Sequence, residues 1–446
     1  MKRSAWRYLW KSEDIRKKLL VTLLLLAIYR LAGNIPVPGI DRAVLQQLTQ
    51  TGGAAGSLFN LLDLLSGGTV SRFSILAMGV YPYITAQIII QLLGPIIPAL
   101  ERRMKENPNE YRTFQEKWTV ILTIPMALLS AIGQINIFNS MVPGKSILLH
   151  FGFTGVNLMP TVATLIAMVA GTMFGIWLGQ LISEYGIRNQ GLSLIIFAGI
   201  VSRIPENMYR ILIDKQYWWL IIPILVILGA TIYAIVYVQQ GRRNVPVMFP
   251  GRRVGNRMSM PVRSNLPLMV NMAGMIPLIF AQSILTFPAI VASYFVQNSV
   301  PWIASFATGV YTTFNQGGGW YSLMYFLMVV IFTFFYTDVL FQQQNYGDNL
   351  KKQGAQIAGV TRGAPTQKYL TRVQRRITLP GALFLGLVAV LPYILKDILP
   401  ISNAASAGLF LTSSAGLLIV VGVVRDTFNI IDTELKMHGY EDRLVR

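Results

Sequence analysis

The chain has 446 residues, 53% hydrophobic and only 13% charged, about half the charged share of a soluble domain. That balance excludes a soluble globular enzyme and fits a polytopic membrane protein. A net charge of +19, from 38 Lys and Arg against 19 Asp and Glu, admits nucleic acid or an anionic surface as partner, and the lack of cysteine excludes disulfides and thiolate metal sites.

In chain order, a basic start leads into an apolar first span over Leu19–Gly33. No small-residue cleavage pattern follows it, so this segment is expected to be retained. Next comes SLFNLLDLLSGG at 57–68, too short to cross and bracketed by glycine pairs. It reads equally as a short helix folded back into the protein or as an amphipathic helix lying flat on the outer surface. Spans two to four are expected at Phe73–Leu93, Trp118–Phe138 and Val156–Ile182, on the rule of about 20 apolar residues per crossing. The fourth carries Gly171, Gly175 and Gly179 at four-residue spacing, which permits close helix packing. Leu192–Val201 is short by the same rule, because Arg203, Pro205 and Glu206 interrupt it. Further apolar runs cover Tyr217–Val238, Leu266–Phe295, Trp320–Phe341, Ile377–Leu395 and Ala405–Val424.

Charge decides the short segment, since cytoplasmic loops gather Lys and Arg. With the amino terminus inside and Leu192–Ile213 counted as a span, most of the 38 basic residues fall on one side. They lie in the first residues, the 102–117 loop, the long loops 240–265 and 342–376, and the tail after Arg425. Ten spans result, with both termini cytoplasmic. A phrase recurs between the halves: GVYPYITAQII from Gly79 and GMIPLIFAQSI from Gly274 share Gly, Pro, Ile and Ala-Gln in one register. Five spans per copy make the second copy run the opposite way, an inverted repeat. The expected architecture is therefore all-α, ten transmembrane helices in two inverted five-helix halves, 1–213 and 214–446. The repeated Gly and Pro weaken helical hydrogen bonding within spans two and seven, which favours an interior position; an ordinary Pro kink is the alternative.

No chemistry stands out. PGKS at Pro143–Ser146 lacks the preceding glycine and strand of a phosphate loop, and His150 and His438 fall on opposite sides of the membrane, so no metal site and no cofactor is expected. Arg30 and Asp338 sit near span ends, leaving span centres without the charge that marks ion-coupled transport. Neither paired carboxylates nor a nucleophile with a base suggests an enzyme. The long basic loops suit anionic lipid or an acidic cytosolic partner, RNA included.

Several stretches carry a specific resemblance: NIPVPGI at 34–40, GVYPYITAQIIIQLL at 79–93, LIIFAGIV at 194–201, NLPLMVNMAGMIPLIFAQSIL at 265–285, DNLKKQGA at 348–355 and GALFLGLVAVLP at 381–392. Together they resemble the SecY/Sec61 alpha family of protein-conducting channels, over nearly the whole chain and in order. The resemblance implies a central pore that passes unfolded secretory proteins and opens sideways to lipid, in the bacterial plasma membrane. It implies a pore ring at Ile84, Ile88, Leu192, Ile196, Ile279 and Ile419. A plug would comprise Leu58, Phe59, Asn60, Leu61, Leu62, Leu65, Ser66 and Gly67. The lateral gate would lie between spans two and three and spans seven and eight, with Gln87, Gln91, Asn271, Ser283 and Phe287 along it.

The loops would dock partners through Arg242, Arg243, Arg252, Arg253, Arg257, Lys351, Lys352 and Arg362. Implied partners are the small subunits SecE and SecG, the SecA motor, the ribosome with its RNA, signal peptides and nascent chains, and anionic lipids. Two departures stand out: the family's Ile-Arg-Pro-Gly loop tip is Val360-Thr361-Arg362-Gly363, its arginine one position later, and Arg188-Asn189-Gln190-Gly191 replaces a shorter Gly-Asn-Gly. A small-solute transporter and a scaffold anchoring a cytosolic complex are the rival classes.

Overall fold

The computed structural model describes residues 12–40, 73–141, 148, 152, 155–188, 190–213, 218–249, 253–254, 257–258, 260, 262–295, 300–314, 319–398 and 414–437. In the first part of the chain lie α1 (Glu13–Ala32), α2 (Tyr81–Ile96), α3 (Pro98–Glu106), α4 (Pro108–Met141), α5 (Leu158–Tyr185) and α6 (Gly191–Ile213). The second part holds α7 (Trp218–Gln240), strands β1 (Arg242–Phe249), β2 (Arg253–Val254), β3 (Arg257–Met258) and β4 (Val262–Met269), then α8 (Ile276–Phe295), α9 (Pro301–Phe314), α10 (Gly319–Gln343), α11 (Tyr346–Lys352), α12 (Ala364–Ile398) and α13 (Ser414–Met437). The chain is thus a helical membrane protein, and its described residues add two small two-stranded sheets, β1–β4 and β2–β3, to the expected helices.

Both faces of the spanning helices are apolar, as burial in lipid requires. On α10, Tyr321, Tyr325 and Val329 face the protein, while Leu323, Leu327, Ile331 and Phe335 form an exposed stripe at four-residue spacing. Among the described residues, four helical stretches are long and apolar enough to cross alone: Glu110–Ile135, Leu158–Tyr185, Trp320–Lys352 and Ala364–Ile394. The short fifth segment forms one continuous helix of 23 residues, about 34 Å long, so the interruption by Arg203, Pro205 and Glu206 does not end it.

The core falls into four parts. One joins the turn around Phe73 and Met78 to α4 and α5. A second ties α7, α8, α10, α12 and α13 together through Leu278, Tyr325, Leu385 and Leu418. A third crosses between the two parts of the chain and is described below. The glycines of α5 act by packing: a Cβ on Gly171 would strike the Ile75 carbonyl oxygen, and one on Gly179 would stand 2.7 Å from Leu192 Cδ2. Because the obstacle at Gly171 is backbone and cannot swing away, G171A is expected to lower stability by about 1–3 kcal/mol. Thermal unfolding in detergent checks this, with G133A, which meets nothing within 4 Å, as the neutral comparison.

The two basic loops expected from sequence are a single folded unit. Strands β1 and β4 pair antiparallel from Arg242↔Met269 to Phe249↔Val262, and Val245 and Val247 alternate inward as the two-residue strand period dictates. Met248 and Gln356 exchange backbone bonds of 2.8 and 2.9 Å, tying the ribbon to the turn before α12. Val245, Val247 and Leu268 then share a core with Phe341, Leu350, Leu370 and Val373 from α10, α11 and α12, and with Ile357 in the turn between α11 and α12. Of the expected 342–376 loop, most is helix: α12 runs for 35 residues, about 50 Å, well beyond the roughly 30 Å of hydrocarbon. Span seven is corrected in the same way. Leu266–Met269 belongs to β4, its leucines serving the core shared with α10, α11 and α12 and not a membrane span.

Candidate functional site

The repeated phrase marks two helix starts. Gly79 and Gly274 adopt φ of +54° and +64°, a left-handed conformation that only glycine takes without strain. Pro82 and Pro277 then fall in the first turns of α2 and α8, where proline's missing N–H leaves no bond unmade. The expectation of weakened or kinked helices within spans two and seven is therefore corrected: both helices begin at the repeat. Each start is locked by a buried polar side chain. Gly274 N–H donates to Asn271 Oδ1 at 2.9 Å and Asn271 Nδ2 donates to the Gly274 carbonyl at 3.3 Å. In the first copy, Leu76 N–H donates to Ser74 Oγ at 3.1 Å.

From these starts the helices deliver aliphatic side chains to one place. Ile84 of α2, Leu192 and Ile196 of α6, and Ile419 of α13 pack in one apolar cluster, with Val80, Leu194, Val423 and Met275 around them. Ile88 and Ile279, the other two expected ring residues, are buried outside that cluster. Met275 escaped the sequence reading, although the repeat register pairs it with Val80, one turn before Ile84 and Ile279.

The two parts of the chain meet along two seams. On one, α6 packs against α13 and α7; on the other, α4 packs against α8 and α2 against α10. At the second seam Tyr336 Oη donates to Gln91 Oε1 at 2.9 Å, joining α10 to α2. Gln91 was expected at the gate; its partner Tyr336, 2% exposed, was not, because nothing in a lone tyrosine's sequence context points across a seam. Gln87 is exposed on α2, and Ser283 and Phe287 lie on α8. Asn271 precedes α8 and spends its amide on its own turn, so any influence on this seam passes through the α8 start. The plug residues Leu58, Phe59, Asn60, Leu61, Leu62, Leu65, Ser66 and Gly67 lie outside the described residues.

Charges gather at the unit built on the β1–β4 ribbon. Arg242 and Arg243 are exposed on β1, Arg253 and Arg257 lie in β2 and β3, and Lys351 and Lys352 end α11. Arg252 lies outside the described residues. Arg362, in the turn before α12, donates to Gln356 Oε1 at 3.2 Å, which fixes it beside the Met248 bridge. Asp338 is held by a forked Arg375, with bonds of 3.1, 3.0 and 2.7 Å. Lys18 of α1 bonds Glu434 of α13 at 2.9 Å, a further link between the two parts.

An apolar cluster shared by helices from both parts of the chain, two inter-part seams and a folded basic unit define a multi-pass helical membrane protein. The SecY family model matches residues 74–428, and the chain belongs to the SecY family. It is 37% identical to the protein translocase subunit SecY of Aquifex aeolicus over 443 residues, 98% of each chain. Against the same subunit of Chlamydia trachomatis it is 36% identical, covering 98% of this chain and 96% of that one. The fold matches a solved protein-conducting channel with a TM-score of 0.63 and 17% identity, over 99% of this chain and 100% of that one. Sec61 from the canine ribosome-channel complex of the endoplasmic reticulum gives 0.60 and 16%, at the same coverage.

Proposed function

We propose that this chain is the channel-forming subunit of a protein translocase, passing unfolded secretory chains across the membrane and releasing apolar segments sideways into lipid. The observation that carries this reading is the convergence of Ile84, Leu192, Ile196 and Ile419 with Met275, drawn from both parts of the chain. Relatives named as translocase subunits and a solved protein-conducting channel of the same fold support it. An aliphatic constriction binds no sequence strongly, sheds water when empty and conforms around an extended chain. Ile88 and Ile279 complete the proposed ring. Residues 58–67 are the proposed plug, and 1–213 and 214–446 the two halves.

The seam of α2, α4, α8 and α10 is the proposed lateral gate, with Gln87, Gln91, Asn271, Ser283 and Phe287 along it. A sufficiently apolar segment leaves by it because transfer into lipid returns roughly 25 cal/mol per Å² of apolar area. Docking of the ribosome at the basic unit is supported by the relative solved in a ribosome-channel complex. SecA is proposed for the same surface, and SecE and SecG as companion subunits. The channel supplies no chemical step; translation or the motor drives movement. The charge distribution and the bacterial relatives support the bacterial plasma membrane, with both termini cytoplasmic.

A stalled secretory precursor is expected to crosslink to a photoreactive side chain at position 84 and not to one at Leu327 on the lipid-facing stripe of α10. Equal crosslinking at both positions, or none at 84, would remove the ring from the path.

A further inference from the structure

Strand β4 ends at Met269 and α8 begins at Ile276, so whatever holds the residues between them sets where α8 starts. Val270 is held on two sides. Its N–H donates at 2.9 Å to the carbonyl of Gly241, the residue that follows α7. Its own carbonyl rests on α12 at Gly381, where a Cβ would stand 2.8 Å from the Val270 oxygen. One residue earlier, the Met269 carbonyl accepts from Gln374 Nε2 of α12 at 3.0 Å. Gln374 and Gly381 lie about two turns apart on one face of that helix, so α12 meets the connection at two successive backbone carbonyls. Asn271 then closes the turn into α8 through Gly274.

Packing alone does not explain a glutamine at position 374. Its side chain is 1% exposed and lies beside a core that includes Leu268, Val373 and Ile377. Among the described residues its Oε1 has no hydrogen-bond partner, and a buried open acceptor is less stable there than an apolar side chain of the same shape. A methionine would fill the same space. What methionine lacks is the donor for Met269, since the other bond of Nε2, to Thr378 Oγ1, is long at 3.4 Å.

We propose that Gln374 is a positioning residue for the gate. By holding the Met269 carbonyl it fixes the start of α8 against α12, and with it the places of Ile279, Ser283 and Phe287. The bond is made while Tyr336 of α10 still holds Gln91 of α2, so its loss frees α8 from the closed seam and lowers the hydrophobicity a segment needs to leave. The proposal rests on the channel reading for what α8 gates, and not for how α8 is anchored.

The chain has no cysteine, so spin labels at I284C on α8 and L387C on α12, both exposed positions, report the distance between these helices. In Q374M the distance distribution is expected to broaden or shift, and the midpoint of a membrane-insertion series to fall. The open fraction should rise roughly 2- to 13-fold, the range that one hydrogen bond covers. Thermal unfolding is expected to stay near that of the parent protein, because the variant removes an open buried acceptor along with one bond; this separates lost positioning from lost stability. G381A, whose added methyl would meet the Val270 carbonyl, should displace α8 as well, whereas R263Q on the ribbon should move neither readout. An unchanged distance distribution in Q374M would overturn the anchor. So would a displaced α8 that leaves the insertion midpoint where it was, in a chain that still crosslinks a precursor at position 84. That crosslink tests the channel reading on its own, so the two fall separately.

Discussion

Vesicles carrying the channel with Ile84, Ile196, Ile279 and Ile419 all replaced by glycine are expected to leak ions on the order of tenfold faster than those carrying the parent chain. The reason is the kind of seal proposed. Aliphatic side chains exclude ions by leaving too little polar surface to keep the passage wet, so removing them lets water, and then ions, through. Glycine within a helix also loosens it by about 0.5–1 kcal/mol per site, which threatens folding in a fourfold variant. The fourfold valine variant supplies the control: it keeps a branched aliphatic wall at nearly the same volume and is expected to stay tight. Met275 offers an independent check, since it packs in the same cluster; adding M275G should raise leak further, whereas L327G on the lipid face should not. Unchanged conductance in a folded glycine variant would dissolve the ring.

How much of this was legible in the sequence depends on which physical signal each element carries. Apolar helices follow from hydropathy; charge asymmetry called for a crossing at α6 that apolar length alone would have denied, and the structure forms that segment as one helix of 23 residues. The repeat located two special positions, but their meaning shifted from kinks inside helices to helix starts, since a Gly-Pro pair is compatible with both and only the backbone angle at Gly79 and Gly274 decides. Leu266 and Leu268 misled for a different reason: an apolar run reads alike whether it meets lipid or a soluble core. The pairing of β1 with β4, and of Met248 with Gln356, depends on contacts distant in sequence, so two basic loops gave no sign of being one folded unit. Single side chains that act across a seam, Tyr336 above all, left no local pattern.

That seam yields the second large effect. Y336F is expected to lower the hydrophobicity a segment needs to leave through the gate, measured as a shift in the midpoint of a membrane-insertion series. The bond from Tyr336 to Gln91 joins α10 to α2 at 2.9 Å and must break for those helices to part, so it stabilises the closed arrangement alone. A hydrogen bond of this kind contributes about 0.5–1.5 kcal/mol, which multiplies the open fraction by roughly 2 to 13 on its removal. Q91L removes the acceptor and is expected to shift the midpoint the same way. The double variant Y336F/Q91L decides the mechanism. If the bond is the latch, the second substitution adds little to the first; if each residue acts through separate packing, the shifts add. Additive shifts, or a midpoint that Y336F leaves in place, would reduce the pair to an ordinary contact between neighbouring helices.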